Sequence, residues 1–362
     1  MHLASTPDNP VPPGAVVAVA RAVDGVQLRT ARWVPTSALR GTVAILQGRS
    51  EFIEKYFETI SELLARGFAV ATIDWRGQGG SVRQLKNPRK GHIDDFALFE
   101  RDLNALVEDV LGPSCPQPWF GLCHSMGGAI MLSIAHAGRC PFERVVMTAP
   151  MIWPYGLLPY PRAAHLVVEI LDALGFGGYL TPGGGGPNTP PPFKGNVLTS
   201  DPVRYARSAS VLAANPDLSL GLWTIGWAHA AFRLWQRFED PEYAREILAP
   251  PMLVIGSGAD KVVDLRAMER FVSRQRSARL IVIDGAEHEI LMERDVFRDQ
   301  FWAAFDKFIP GVEGERARTP LAARLAALEK EERNGPAPEL RKFHQGRAGR
   351  LWRLGGARQG GR

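Results

Sequence analysis

Short apolar runs alternate, along the first half of the chain, with longer segments whose apolar residues recur at helical spacing. TVAILQ (42–47) and FAVATIDW (68–75) are runs of the first kind, suited to parallel strands buried on both faces. Between them, IEKYFETISELLARG (53–67) carries apolar residues at helical intervals and ends on Gly, a helix stop. The rhythm continues with a helix over FALFERDLNALVEDVLG (96–112), a strand at PWFGLC (118–123), a helix at MGGAIMLSIAHAG (126–138) and a strand at RVVMTAP (144–150). Upstream, residues 15–34 form two β-branched runs joined at Asp24-Gly25, a hairpin signal. The alternation predicts an α/β fold with a mostly parallel, doubly wound sheet.

The rhythm breaks after Pro150 and resumes at MLVIGS (252–257), followed by a helix near 264–276, the strand RLIVID (279–284) and a helix near 293–308. Roughly a hundred residues therefore stand where one crossover helix of about a dozen would serve. AAHLVVEILDALGF and LSLGLWTIGWAHAAFRLWQRF within them have helical spacing, separated by TPGGGGPNTPPPF. That loop is no phosphate cradle, because no strand precedes it and no Lys-Ser/Thr opens a helix after it. It reads as a mobile connection. The expected organisation is an N-terminal extension (1–14), a core (15–150 and 244–310), an inserted helical cap (151–243) and a C-terminal tail (311–362).

The segment that carries chemistry is PWFGLCHSMGGA, where a strand runs through Cys123-His124-Ser125-Met126-Gly127-Gly128 into a helix. A Ser at so tight a turn is held in strained backbone geometry with its Oγ exposed above the C-terminal edge of the sheet. Gly127 and Gly128 let strand and helix pass closely, while Cys123 stands where a Gly is usual. A Ser hydroxyl needs a base to take its proton and an acid to orient that base. In this arrangement the chain order is Ser, acid, His. Asp260, just past the MLVIGS strand, and His288, just past RLIVID, fit that order at the edge where open α/β sheets bind ligands. Asp264 reads instead as a helix N-cap before LRAMERF, and Asp284 as a strand-end turn residue. His124 is expected to point away from Ser125 and to pack. The oxyanion of an acyl-transfer intermediate would be held by backbone N–H groups of Met126 and of the loop after TVAILQ, at Arg49, with Gly48 permitting close backbone approach. In IDWRGQGGS (73–81), Asp74 and Arg76 are expected to pair with each other and brace neighbouring turns.

Charge changes the picture only at one end. The net charge is +5 over 362 residues, yet the stretch from Gly335 holds seven Lys or Arg against one Glu, leaving the remainder near neutral. A nucleic-acid partner is therefore not expected, despite a basic pI. The tail mixes Arg and Gly with few apolar residues and should not fold alone. It is a dispensable disordered extension or, alternatively, an attachment to anionic membrane through its basic residues and Trp352. Three cysteines (Cys115, Cys123, Cys140) are too few for a disulfide framework and fit a reducing compartment. The N-terminus lacks the basic opening and apolar run of a signal peptide, and no stretch approaches about 18 apolar residues, so a cytoplasmic location is the default. No His/Cys spacing suggests a metal, and no cofactor is expected.

Taken together, QGRSEFIEKYFE, DWRGQGGS, HIDDF, HSMGG, NVLTSDPVRYAR and GADKVVD resemble α/β hydrolases of the lysophospholipase L2 and monoacylglycerol lipase type, grouped by sequence with serine aminopeptidases. The resemblance covers about residues 15–310. It implies the α/β-hydrolase fold, with Ser125 as nucleophile, Asp260 as acid, His288 as base and Arg49 and Met126 as oxyanion donors. Gln47 stands where many relatives have His. The cap residues Trp223, Trp227, Phe232 and Trp235 offer an apolar surface that could hold an acyl chain, at about 0.8 kcal/mol per buried CH₂, or could simply pack the cap onto the sheet. Trp223 and Trp227 are the candidate substrate-binding residues. A serine ester hydrolase acting on lysophospholipid or monoacylglycerol-like lipids is the leading expectation. A peptidase or amidase using the same three residues is the rival, and a non-catalytic binding protein the reading from another class. Enzymes that need an Asp nucleophile are excluded by Ser125.

Overall fold

Among the described residues, eight strands form one sheet in the order β1-β2-β4-β3-β5-β6-β7-β8. The computed structural model describes residues 2–36, 40–156, 161–181 and 192–310. The strands are β1 (Ala15–Arg21), β2 (Gln27–Trp33), β3 (Thr42–Leu46), β4 (Ala69–Ile73), β5 (Trp119–His124), β6 (Arg144–Thr148), β7 (Met252–Ser257) and β8 (Ala278–Ile283). β1 and β2 make the antiparallel hairpin expected at Asp24-Gly25, with Gly25 at φ 82°, and β2 pairs antiparallel with β4. From β4 to β8 every pairing is parallel. This is the α/β-hydrolase sheet, mostly parallel with an antiparallel edge.

The apolar runs alternate across its two faces, as the period of a strand requires. In β3, Ala44 and Leu46 join one core with Met126, Ile130 and Trp75. Val43 and Ile45 join the opposite core, with Phe57, Ile60, Phe301 and Phe305. Helices Phe57–Ala65 and Asp295–Phe308 cover the second face, and Leu98–Leu106 and Met126–His136 the first. The expected 96–112 helix is a regular helix only to Leu106, after which Val107–Leu111 forms a wider π turn.

Between β6 and β7 lie the helices Pro161–Leu171, Pro202–Ala214, Ile225–Glu239 and Pro241–Glu246. The first and third match the helical patterns read from the sequence. The second was not anticipated as a helix, although its start is strongly marked: Asp201 Oδ1 accepts from the N–H groups of Val203 (2.8 Å) and Arg204 (3.0 Å), with Pro202 in the first helical position. Most of the Gly/Pro loop and all of the basic tail lie outside the described residues. Among the described residues, no helix is long and apolar enough to cross a membrane, and no group of His, Cys, Asp or Glu could hold a metal ion.

Candidate active site

Parallel pairing of β5, β6, β7 and β8 sets their C-terminal ends side by side, and the loops that follow converge there. Ser125 sits immediately past β5 at φ 48°, ψ −112°, a region that side chains rarely occupy. Its N–H donates to the Thr148 carbonyl at 3.0 Å, and its carbonyl accepts from Gly128, Ala129 and Met151. The turn is thus fixed from both sides. Glycine is required where the helix leaves it: a Cβ on Gly127 would lie 2.2 Å from the Leu46 carbonyl oxygen, and one on Gly128 2.7 Å from Pro150 Cβ. Cys123 fits because its side chain enters the core beneath the turn, where burial pushes its thiol well above the usual range.

Ser125, His288 and Asp260 form one hydrogen-bonded chain. His288 Nε2 is 3.0 Å from Ser125 Oγ, and His288 Nδ1 is 2.8 Å from Asp260 Oδ2. The other oxygen of Asp260 accepts from the N–H groups of Val262 (2.7 Å) and Val263 (2.9 Å), which fixes the carboxylate. Asp264 does something else. It caps the Leu265–Ser273 helix by accepting from Ala267 N–H at 2.9 Å. All three members of the chain are buried.

The loop after β3 presses against this centre. A Cβ on Gly48 would fall 3.2 Å from Ser125 Cβ and 2.9 Å from Glu51 Oε2. Gly48 N–H donates to Glu51 Oε2 at 2.5 Å, and its carbonyl accepts from Gln78 Nε2 at 2.8 Å. Among the described residues, the backbone N–H groups of Arg49 and Met126 find no protein acceptor. Gln47 turns away from the centre, donating from Nε2 to the Ile73 carbonyl and to Asp74 Oδ1.

Two sequence expectations are corrected. Asp74 does not pair with Arg76. It pairs with Arg29 at 2.6 Å in a buried group with Glu54, while Arg76 pairs with Asp102 and Asp24. Asp74 is already occupied by Arg29, Gln47 and the N–H groups of Ile53 and Gly80, while Arg76 is taken up by Asp102 and Asp24, so each is satisfied by partners mostly far away in sequence. His124 packs, but not away from the site. Its ring lies 4.9 Å from that of His288, with Nδ1 against Thr148, and burial lowers its pKa to about 4.

Sequence reasoning missed a buried ionic link beneath the loop. Lys55 Nζ lies 2.8 Å from Glu51 and 2.6 Å from Glu289, and Tyr56 OH donates to Glu51 at 2.6 Å. Burial alone would raise the Glu51 carboxyl, but Lys55 and its hydrogen bonds hold it near 2. The i, i+4 spacing of Glu51 and Lys55 was visible in QGRSEFIEKYFE; their partner beside His288 was not.

The insertion packs against the loop after β3, where Arg49 Nη2 donates to the Gly221 carbonyl. Trp227 is buried against Phe96, Trp235 and Trp223, while Trp223 remains 40% exposed. Arg49, Gln78, Met126 and Trp227 share in lining a cavity of about 10 Å³, scarcely one water. Neither this cavity nor a larger cleft, about 260 Å³ between Gly79–Arg83 and Pro216–Ser219, is lined by Ser125, Asp260 or His288.

Residues 37–295 match the family described as serine aminopeptidase, S33. Lysophospholipase L2 of Escherichia coli (strain K12) is 32% identical over 294 residues, covering 76% of this chain and 82% of that protein. The probable lysophospholipase L2 of Haemophilus influenzae is 28% identical over 276 residues, covering 76% and 85%. Among solved structures, a soluble variant of Saccharomyces cerevisiae monoglyceride lipase superposes with a TM-score of 0.63 at 20% identity, covering 81% of this chain and 96% of that one. A carboxyl esterase from Bacillus coagulans gives 0.64 at 20% identity, covering 82% and 98%. These likenesses in structure agree with the fold traced above. The chain belongs to the lysophospholipase L2 and monoacylglycerol lipase-like group of the serine aminopeptidase S33 family, and it is an ester-hydrolysing α/β hydrolase.

Proposed function

We propose that the protein cleaves the acyl ester of lysophospholipids or monoacylglycerols through an acyl-enzyme on Ser125. The supporting observation is the Ser125–His288–Asp260 chain at 3.0 Å and 2.8 Å beside two backbone N–H groups without acceptors. Ser125 Oγ attacks the ester carbonyl carbon while its proton passes to His288 Nε2. The imidazolium that forms is stabilised by Asp260, which keeps Nδ1–H directed at itself. The carbonyl oxygen, now negative, takes hydrogen bonds from the N–H groups of Arg49 and Met126, each worth about 3 kcal/mol. Collapse breaks the C–O bond and returns the proton from His288 to the leaving alcohol. Water then repeats the sequence in reverse, releasing the fatty acid.

Access requires movement. Ser125, Asp260 and His288 are each buried, so on this reading part of the 151–243 cap moves before substrate enters. Trp223 and Trp227 would line the opened route. A lipid substrate agrees with the name of the Escherichia coli relative. An aminopeptidase would need acidic groups to hold a free amine, whereas the Ile225–Glu239 helix carries two arginines before its terminal Glu.

The test is a substrate panel with active-site labelling. Fluorophosphonate should label the chain at Ser125, and esters with long acyl chains should outrun both acetyl esters and aminoacyl anilides. Labelling that persists in Ser125→Ala, or anilides hydrolysed fastest, would overturn the reading.

A further inference from the structure

Arg49 brings two different groups to the centre. Its N–H is the oxyanion donor proposed above, and its side chain runs into the seam between the loop after β3 and the insertion. There Nη1 donates to Ser50 Oγ at 2.9 Å and Nη2 to the Gly221 carbonyl at 2.7 Å. Nε is buried without a partner. The guanidinium carbon lies 5.3 Å and 5.2 Å from the ring centres of Trp223 and Trp227. Among the described residues, no carboxylate pairs with it. Arg29, Arg76 and Arg298, by contrast, are buried arginines that each have at least one carboxylate. Arg49, half-buried with Nε fully enclosed, thus holds its cation against neutral partners only, and the desolvation lowers its pKa to about 10.

Aromatic faces and two acceptors offset part of that desolvation, but they leave the positive charge uncompensated and the planar fork of donors incompletely used. Planar forks of this kind match phosphate geometry. Covalent reach agrees as well. The number of bonds from the backbone nitrogen of Arg49 to its guanidinium carbon equals the number from the ester carbonyl carbon to the phosphorus of a 1-acyl glycerol phosphate. A substrate lying along the side chain would have its carbonyl oxygen at the N–H and its phosphate at the guanidinium.

We infer that the Arg49 guanidinium is the recognition site for the phosphate of a lysophospholipid, the countercharge coming with the substrate. The inference rests on the lipid-ester reading proposed above and narrows it. A charge-assisted pair in such surroundings corresponds to about 10- to 100-fold discrimination against the neutral monoacylglycerol.

The experiment compares kcat/KM of the full chain for 1-lauroyl glycerol 3-phosphate and 1-lauroyl glycerol, both below micelle formation, in wild type, Arg49→Met and Arg49→Lys. The ratio matters, because any loss common to both substrates from a shifted oxyanion loop cancels in it. Wild type should favour the phosphate. Arg49→Met should lose that preference by about 10- to 100-fold, and Arg49→Lys should keep part of it. An unchanged ratio in Arg49→Met, or no wild-type preference, overturns the inference and leaves the guanidinium as a latch on Gly221. Inorganic phosphate that inhibits lauroyl glycerol hydrolysis, with no preference for the phosphorylated ester, would place free phosphate rather than a headgroup at Arg49 and also overturn it. Turnover of neither ester would defeat the lysophospholipid and monoacylglycerol reading proposed above, and the inference with it.

Discussion

Lys55 Nζ stands 2.6 Å from Glu289, the residue that follows His288 and lies 234 positions away in sequence. Through Glu51, the same ammonium reaches the carboxylate that holds Gly48 N–H. One buried cation therefore joins the loop of the proposed oxyanion donor to the loop of the proposed base.

Lys55→Met should be severely destabilising. It strands two carboxylates, each no more than 9% exposed, and breaking a buried pair from one side costs about 3–5 kcal/mol. Urea unfolding measures this, and Lys55→Met combined with Glu289→Gln should recover part of the loss. Additive losses would show that the two groups are not coupled.

Asp260→Asn and Asp264→Asn separate orientation from capping. The first should lower kcat about 10⁴-fold by favouring the wrong His288 tautomer. The second should leave kcat unchanged, since Asn caps a helix about as well as Asp. Steady-state kinetics on a soluble ester decides between them; the reverse ranking would move the acid to Asp264.

His124 should make stability depend on pH between about 4 and 6.5. Burial depresses its pKa to about 4, with His288 and Lys55 also lowering it and Glu51 and Asp260 opposing. The unfolded chain binds the proton first as pH falls from 6.5, so stability is full above 6.5 and declines toward 4, by about 3 kcal/mol at most. Asp102, whose carboxyl burial pushes up to about 6, contributes with the opposite sign in an overlapping window. The effect is therefore read as a difference: the urea midpoint at pH 5, taken relative to that at pH 7, should be higher in His124→Asn than in wild type. An equal pH dependence in both proteins would contradict it.

Gly127→Ala should damage the turn that carries Ser125. A methyl group 2.2 Å from the Leu46 carbonyl must push the helix off β3, a strain of about 1–3 kcal/mol or more. Fluorophosphonate labelling should slow far more than the loss of folded protein explains. Normal labelling of a folded variant would show that the turn tolerates the shift.

How much of this was legible in the sequence depends on range. β3, β4, β5 and β7 were readable because strands buried on both faces are continuous apolar runs, and β7 coincides with MLVIGS. Ser125, Asp260 and His288 were readable because parallel strands put the residues after their C-terminal ends in one place, whatever their separation. The link from Lys55 to Glu289 was not, since nothing local marks which of many charged residues will meet across the sheet. Asp74 and Arg76 misled for the converse reason: proximity in sequence suggested a pair, whereas Arg29 claims Asp74 and Asp102 claims Arg76 from distant parts of the chain. The Pro202–Ala214 helix had its start signal in Asp201-Pro202 but lacked a clear apolar stripe, and it buries only Val211.

The insertion between β6 and β7 also sets a timetable. His288 follows Ser125 by 163 residues, and at about 5–20 residues per second the ribosome needs on the order of ten seconds to supply it. During that interval the emerging Ser125 lacks the proton acceptor and the acid proposed for it. On the reading proposed above, the nascent chain would stay inert toward esters until β7 and β8 add to the edge of the sheet, so the last strands made among the described residues would also be those that switch the proposed nucleophile on.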